Sequence, residues 1–149
     1  MADKTDANHD TLELLKECDQ GVKMAISAIE QVVDDVKSNE FKSLLDAGKD
    51  RHTQVQEKIG ILLIQYGEAG KAPGAVAKGM SKMKISVMMA ADGSDSTAAE
   101  LITDGCNMGI KSLSQYLNQY TQADGKAKDA ALQLIKSEEE LAKSIRKFL

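Results

Sequence analysis

The sequence is poor in the residues that build β-structure, disulfide frameworks and membrane spans. It has no tryptophan, two phenylalanines, three tyrosines and one proline in 149 residues. So few aromatic side chains argue against an all-β core, and a single proline leaves most of the chain free to be helical. Two cysteines, Cys18 and Cys106, form no CxxC motif and no disulfide framework. No apolar run approaches the ~20 residues of a transmembrane helix, so no membrane partner is expected.

The charge balance and the remaining motifs exclude several further classes. The net charge is −4 and the pI about 5.2, which argues against a nucleic-acid partner because phosphate binding needs basic surfaces. The stretch "MADKTDANHD" has neither the basic start nor the apolar run of a secretory signal, and a bacterial-type cytoplasm is therefore expected. "GEAGKAPG" lacks the spacing of a phosphate-binding P-loop, and one core histidine does not make a Ser-His-Asp triad.

Helical periodicity dominates what is present. Apolar residues recur at spacings of three and four along four long segments, which predicts an all-α bundle in one domain spanning residues 10–149, after a disordered lead at 1–9. The predicted helices cover residues 11–37, 40–66, 97–121 and 124–148, with a short Met-rich helix at 77–90.

Capping residues set these predicted bounds. Asp10 precedes the first apolar row and predicts its N-terminus. Ser38 and Asn39 are expected to end the first helix and cap the second, and Thr97 with Glu100 predicts a capping box at the third long helix.

The two halves of the chain resemble each other. "GVKMAISAIEQ" (21–31) matches "GCNMGIKSLSQ" (105–115) at an offset of 84 residues, and at an offset of 86 His52 falls on Glu138. Each of these two residues interrupts an apolar row at the same place in its hairpin. Because an unpartnered buried charge is costly, the two side chains are expected to meet. The linker of about 30 residues between the hairpins predicts that the second and third long helices are parallel.

From about residue 10 onward the chain resembles the ferritin-like superfamily, and within it a bacterial domain-of-unknown-function group. The segments that carry the resemblance are "LLKECDQGVKMA", "FKSLLDAGKDRHTQVQEKIG", the Met-rich short helix and "AAELITDGCNMGIKSLSQYL". The resemblance implies a ferritin-like four-helix bundle of two helical hairpins, with a long crossover that carries a short extra helix. It implies little about activity, since function in that group is largely unassigned.

The superfamily's di-iron motif is incomplete here. That motif combines a carboxylate from each of two helices with Glu-x-x-His from the other two. This sequence has Lys49-x-x-His52 and Glu138-x-x-Leu141 instead. The mid-layer of the first and third long helices offers no carboxylate at the required height.

Each candidate residue has more than one interpretation. His52 and Glu138 form either a buried pair or a minimal zinc or iron site, with Cys106 as a possible third ligand. Asp19 is expected on a solvated flank or bonded to Thr103, rather than as a ligand. The methionines of the short helix are expected to cover the core rather than bind copper; they are Met80, Met83, Met88 and Met89.

Three functional hypotheses follow. The first is a non-enzymatic ferritin-like bundle, stress-related or an interaction module, with an incomplete di-iron site. The second is a metal-binding or oxidoreductase protein with a minimal site at His52 and Glu138. The third is an oligomeric scaffold.

We also predict a homodimer, formed through the third long helix or the Met-rich helix. The segment "SLSQYLNQYTQ" has few charges and two tyrosines, which is a composition typical of protein interfaces. Sedimentation at micromolar concentration should show a species heavier than the 16.1 kDa chain, and a 16.1 kDa species alone would contradict the dimer.

Overall fold

The computed structural model describes residues 4–67 and 84–149, and within those ranges it contains helices and no strand. The predicted all-α class is therefore confirmed. None of the helices in these ranges is long and apolar enough to cross a bilayer. The helices are α1 (Lys4–Val33), α2 (Asn39–Gln65), α3 (residues 84–91), α4 (Asp95–Gln119) and α5 (Gly125–Ser144), followed by a 3-10 turn at Arg146–Phe148.

Helix α1 begins at Lys4, so the disorder predicted for residues 1–9 is not found at residues 4–9. Asp10 lies inside the helix and does not cap it. Its carboxylate instead accepts a hydrogen bond from the backbone N–H of Gln122 at 2.9 Å, and the hydroxyl of Thr11 accepts from Asp124 N–H at 2.8 Å. The acidic residue thus caps a distant turn, which local sequence alone does not reveal.

The other helix starts are set by side-chain caps. The Ser38 hydroxyl accepts from the N–H of Phe41, as predicted for α2. The cap of α4 is Ser94, which accepts from Thr97 N–H at 3.2 Å, so the capping box predicted at Thr97 is wrong. Asp124 caps α5 by accepting from Ala127 N–H at 2.8 Å.

Contacts between helix ends define the direction of each helix. Phe41 stacks on Phe148 at 4.5 Å between ring centroids, and the Tyr66 hydroxyl donates to Asp124 at 2.9 Å, so α2 and α5 are antiparallel. The Asp95 carboxylate accepts from the backbone N–H groups of residues 37 and 38, while Asp10 contacts the far end of α4, so α1 and α4 are antiparallel.

The α1–α2 hairpin is antiparallel as well, with Lys49 Nζ 2.8 Å from Glu30 Oε1. Consequently α2 and α4 point in the same direction, opposite to α1 and α5.

Most of the segment that connects α2 to α4 lies outside the described residues, including Met80 and Met83. In α3, Ile85 and Met89 are buried against the bundle, whereas Met88 is partly exposed. Of the two methionines in the described part of the short helix, Met89 therefore covers the core as predicted, whereas Met88 does not.

The buried apolar side chains form two clusters. One contains Phe41 and Leu45 of α2, and the other contains Val55 and Ile59 of the same helix. His52 lies between them along α2, and Glu138 lies between the corresponding clusters along α5. The bundle therefore has a polar layer in its interior, with apolar packing on both sides.

Candidate binding site at the middle of the bundle

His52 is fully enclosed, and both of its ring nitrogens face oxygen atoms. Its exposed fraction is 0%, Nδ1 lies 2.7 Å from the carbonyl oxygen of Gly48, and Nε2 lies 3.1 Å from Oε1 of Glu138. A carbonyl oxygen can only accept, so Nδ1 carries a hydrogen. The structure thus brings together the two polar residues that the repeat paired.

The contact between His52 and Glu138 is an ion pair more than a directed hydrogen bond. Nε2 has no hydrogen bond of good angle, although Oε1 is only 3.1 Å away. Burial by itself lowers the pKa of His52, but the Glu138 carboxylate and the Gly48 carbonyl together outweigh it and raise this pKa above its ordinary value. The raised pKa favours an imidazolium beside a carboxylate.

Two glycines make room for this pair. A Cβ at Gly48 would lie 2.8 Å from Cδ1 of Leu141, so glycine permits the close approach of α2 and α5. A Cβ at Gly109 would lie 3.3 Å from Oε1 of Glu138, so glycine on α4 leaves space for the carboxylate. Gly48 occupies a core-facing position in the apolar row of α2, so the sequence pattern points to it. No sequence pattern indicates the role of Gly109.

Cys106 lies beside Glu138, where its thiol is buried and has a raised pKa. The thiol is 3% exposed and donates a hydrogen bond to the Glu138 carboxylate. Burial foremost, and then the charge of Glu138, raise the pKa of Cys106, whereas a metal needs the thiolate. The second thiol, Cys18, is buried too, and burial raises its pKa to about 12. Within residues 4–67 and 84–149, no group of three or more His, Cys, Asp or Glu side chains is placed to share an ion.

Asp19 does not occupy the solvated position predicted for it. It is only 3% exposed, and its carboxylate lies 2.6 Å from Nζ of Lys23, one turn later in α1. The alternative bond to Thr103 is absent too, since Oγ1 of that residue is buried without a hydrogen-bond partner. Asp19 is therefore a buried carboxylate that forms an i,i+4 ion pair within α1.

A cavity of about 310 Å³ opens between α1 and α4, and sequence reasoning missed it. Its two walls are the two copies of the internal repeat, and its floor is α5, including Glu138. Several of the wall residues are glycine, alanine or serine. We call this cavity the α1–α4 groove; among its lining residues are Gly21, Met24, Ala25, Ala28, Gly105, Met108, Gly109, Ser112, Leu134, Glu138 and Leu141.

Comparisons with known proteins identify no relative of this chain. No family model, no curated protein and no solved structure matches the chain.

Proposed function

We propose that this protein is a non-enzymatic, ferritin-like bundle that acts as an interaction module, with a buried His–Glu pair where the superfamily has its di-iron centre. The common direction of α2 and α4 supports this architecture, because a ferritin-like bundle needs a long crossover between those two helices. The internal repeat supports it as well, since its two copies fall on α1 and α4.

The observation that carries the proposal is that both His52 nitrogens lie against oxygens of the protein, Nδ1 in a hydrogen bond to Gly48 and Nε2 in the ion-pair contact with Glu138. The other positions of the di-iron motif fit no better. Lys49 points to the surface, where it pairs with Glu30, and Leu141 is buried in the apolar core. A di-iron centre draws on about four carboxylates and two histidines, and the polar layer offers one of each. The residues present therefore do not fit that centre.

A minimal zinc or iron site at His52 and Glu138 is the second candidate function. One observation favours it: the Nδ1–H group of His52 donates to a backbone carbonyl, which is how metal-binding histidines are commonly oriented. That orientation directs Nε2 to the Glu138 carboxylate, and both atoms could contact one ion.

Chelation separates the two candidates. Protein purified without a His-tag should melt at the same temperature before and after dialysis against a chelator, because the pair is complete without an ion. Elemental analysis of the same sample should find zinc and iron well below one equivalent. A melting temperature that falls on chelation and recovers with added zinc or iron would instead support the minimal metal site.

The oligomeric scaffold and the homodimer remain predictions. Val87 of α3 is 61% exposed and Met88 is 39% exposed, so the short helix presents an apolar outer edge. Tyr116 and Tyr120 of α4 stack on each other at 6.3 Å between ring centroids and are half-buried. These residues are the ones that a second copy would cover in either of the two predicted interfaces.

A further inference from the structure

The α1–α4 groove is kept open by glycines at positions where a larger side chain would fit. A Cβ built at Gly21 or at Gly105 would meet no atom within 4 Å, although both residues line the groove. Glycine is one of the poorest residues in a helix interior, and empty apolar space is unfavourable. A ligand in the groove would fill the space that the glycines leave empty.

The groove has carboxylates among its lining residues and no basic side chain. Two carboxylates line it, Glu17 and Glu138, and no lysine, arginine or histidine is among its lining residues. Gln20 also lines the groove, and its Oε1 atom is buried without a donor in the protein. A ligand that satisfies the Gln20 oxygen must supply a hydrogen-bond donor, and the carboxylates favour a donor that carries a positive charge.

We propose that the α1–α4 groove binds a small organic cation, whose ammonium or guanidinium group reaches Glu138 and Gln20 while its apolar body lies between the glycines of α1 and α4. The cavity volume of about 310 Å³ corresponds to a small ligand. Met24 and Met108 flank the space with flexible thioether side chains that adapt to different apolar bodies. This inference goes beyond the proposed function, with which it shares Glu138.

The test is an NMR titration of the full chain with benzylammonium chloride, with benzyl alcohol as the neutral match of the same shape. Saturable shifts at residues of the groove are expected for the ammonium. The alcohol should bind roughly tenfold more weakly or worse, because it lacks the charge that Glu138 attracts. Equal binding of the two compounds, or no saturable shift with the ammonium, would overturn the proposal.

Two leucine variants locate the binding. Gly105→Leu fills the groove from α4, whereas Gly60→Leu adds the same side chain to open space on α2, away from the groove. The first should abolish binding, and the second should bind as the wild type does. If Gly105→Leu is not helical by circular dichroism, Gly21→Leu fills the groove from α1 instead. Binding that survives in a folded groove-filled variant places the cation elsewhere and refutes the assignment.

Discussion

Glu138→Leu is expected to destabilise the bundle strongly, whereas the double variant His52→Leu/Glu138→Leu should cost far less. The single change leaves the fully buried imidazole of His52 without its charged partner. Such a loss lowers the free energy of unfolding by about 3–5 kcal/mol when the remaining partner stays charged, and by less when it becomes neutral. The double change replaces the polar layer with apolar side chains that join the clusters above and below it. Urea unfolding of the wild type, both single variants and the double variant gives the coupling energy directly.

Additive changes would contradict the pairing. If the double variant loses as much as both single variants together, His52 and Glu138 stabilise the protein independently. Lys136, a mostly exposed residue of α5, supplies the matched surface control, and Lys136→Leu should change the stability little.

The same pair makes the stability depend on pH, in a direction that follows from the raised pKa of His52. A group whose pKa is higher in the folded than in the unfolded state contributes its full stabilisation below the unfolded value. For His52 that value is 6.5, so the contribution should be complete below about pH 6.5 and should be lost as the pH rises through the folded pKa. The stability difference between the wild type and the double leucine variant should therefore shrink from pH 6 to pH 9, and a difference that stays constant would refute the ion pair.

Periodicity and the repeat were sufficient to predict the polar layer. His52 and Glu138 each interrupt an apolar row with a spacing of three and four, and a helical row fixes which side chains face the core. Polar side chains at equivalent core positions of the two hairpins are then expected to lie together. Nε2 of His52 and Oε1 of Glu138 are indeed 3.1 Å apart. Interior positions of long helices are predictable because every turn of the helix repeats the same constraint.

The helix ends and the groove were harder to predict from the sequence. Ser94 and Thr97 are both plausible caps, and only the backbone path at residue 94 decides between them. Asp10 caps a turn more than one hundred residues away, which no local pattern encodes. The groove depends on the distance between α1 and α4, and small residues specify that distance only once the partner helix is known.

Gly48→Ala should destabilise the protein by about 1–3 kcal/mol, because the new methyl group overpacks the contact between α2 and α5. A Cβ at this position would lie 2.8 Å from Cδ1 of Leu141, and Leu141 is 1% exposed, so its side chain has little room to move. Gly60→Ala on the same helix is the matched control. Its Cβ would meet nothing within 4 Å, so the better helix propensity of alanine should stabilise the protein by about 0.5–1 kcal/mol.

Both substitutions replace glycine with alanine inside α2, so their intrinsic effects on helix stability are the same. The difference between the two changes in the free energy of unfolding therefore measures the cost of the close approach at Gly48. If α2 moves away from α5 to admit the methyl group, the distance between His52 Nε2 and Glu138 Oε1 increases. The pKa of His52 should then fall towards the value set by burial, which NMR titration of the imidazole can follow. Shortening the opposing side chain in Gly48→Ala/Leu141→Val should recover part of both losses. If Gly48→Ala is as stabilising as Gly60→Ala, the close approach does not hold the pair together, and the polar layer must be positioned by the apolar clusters on either side of it.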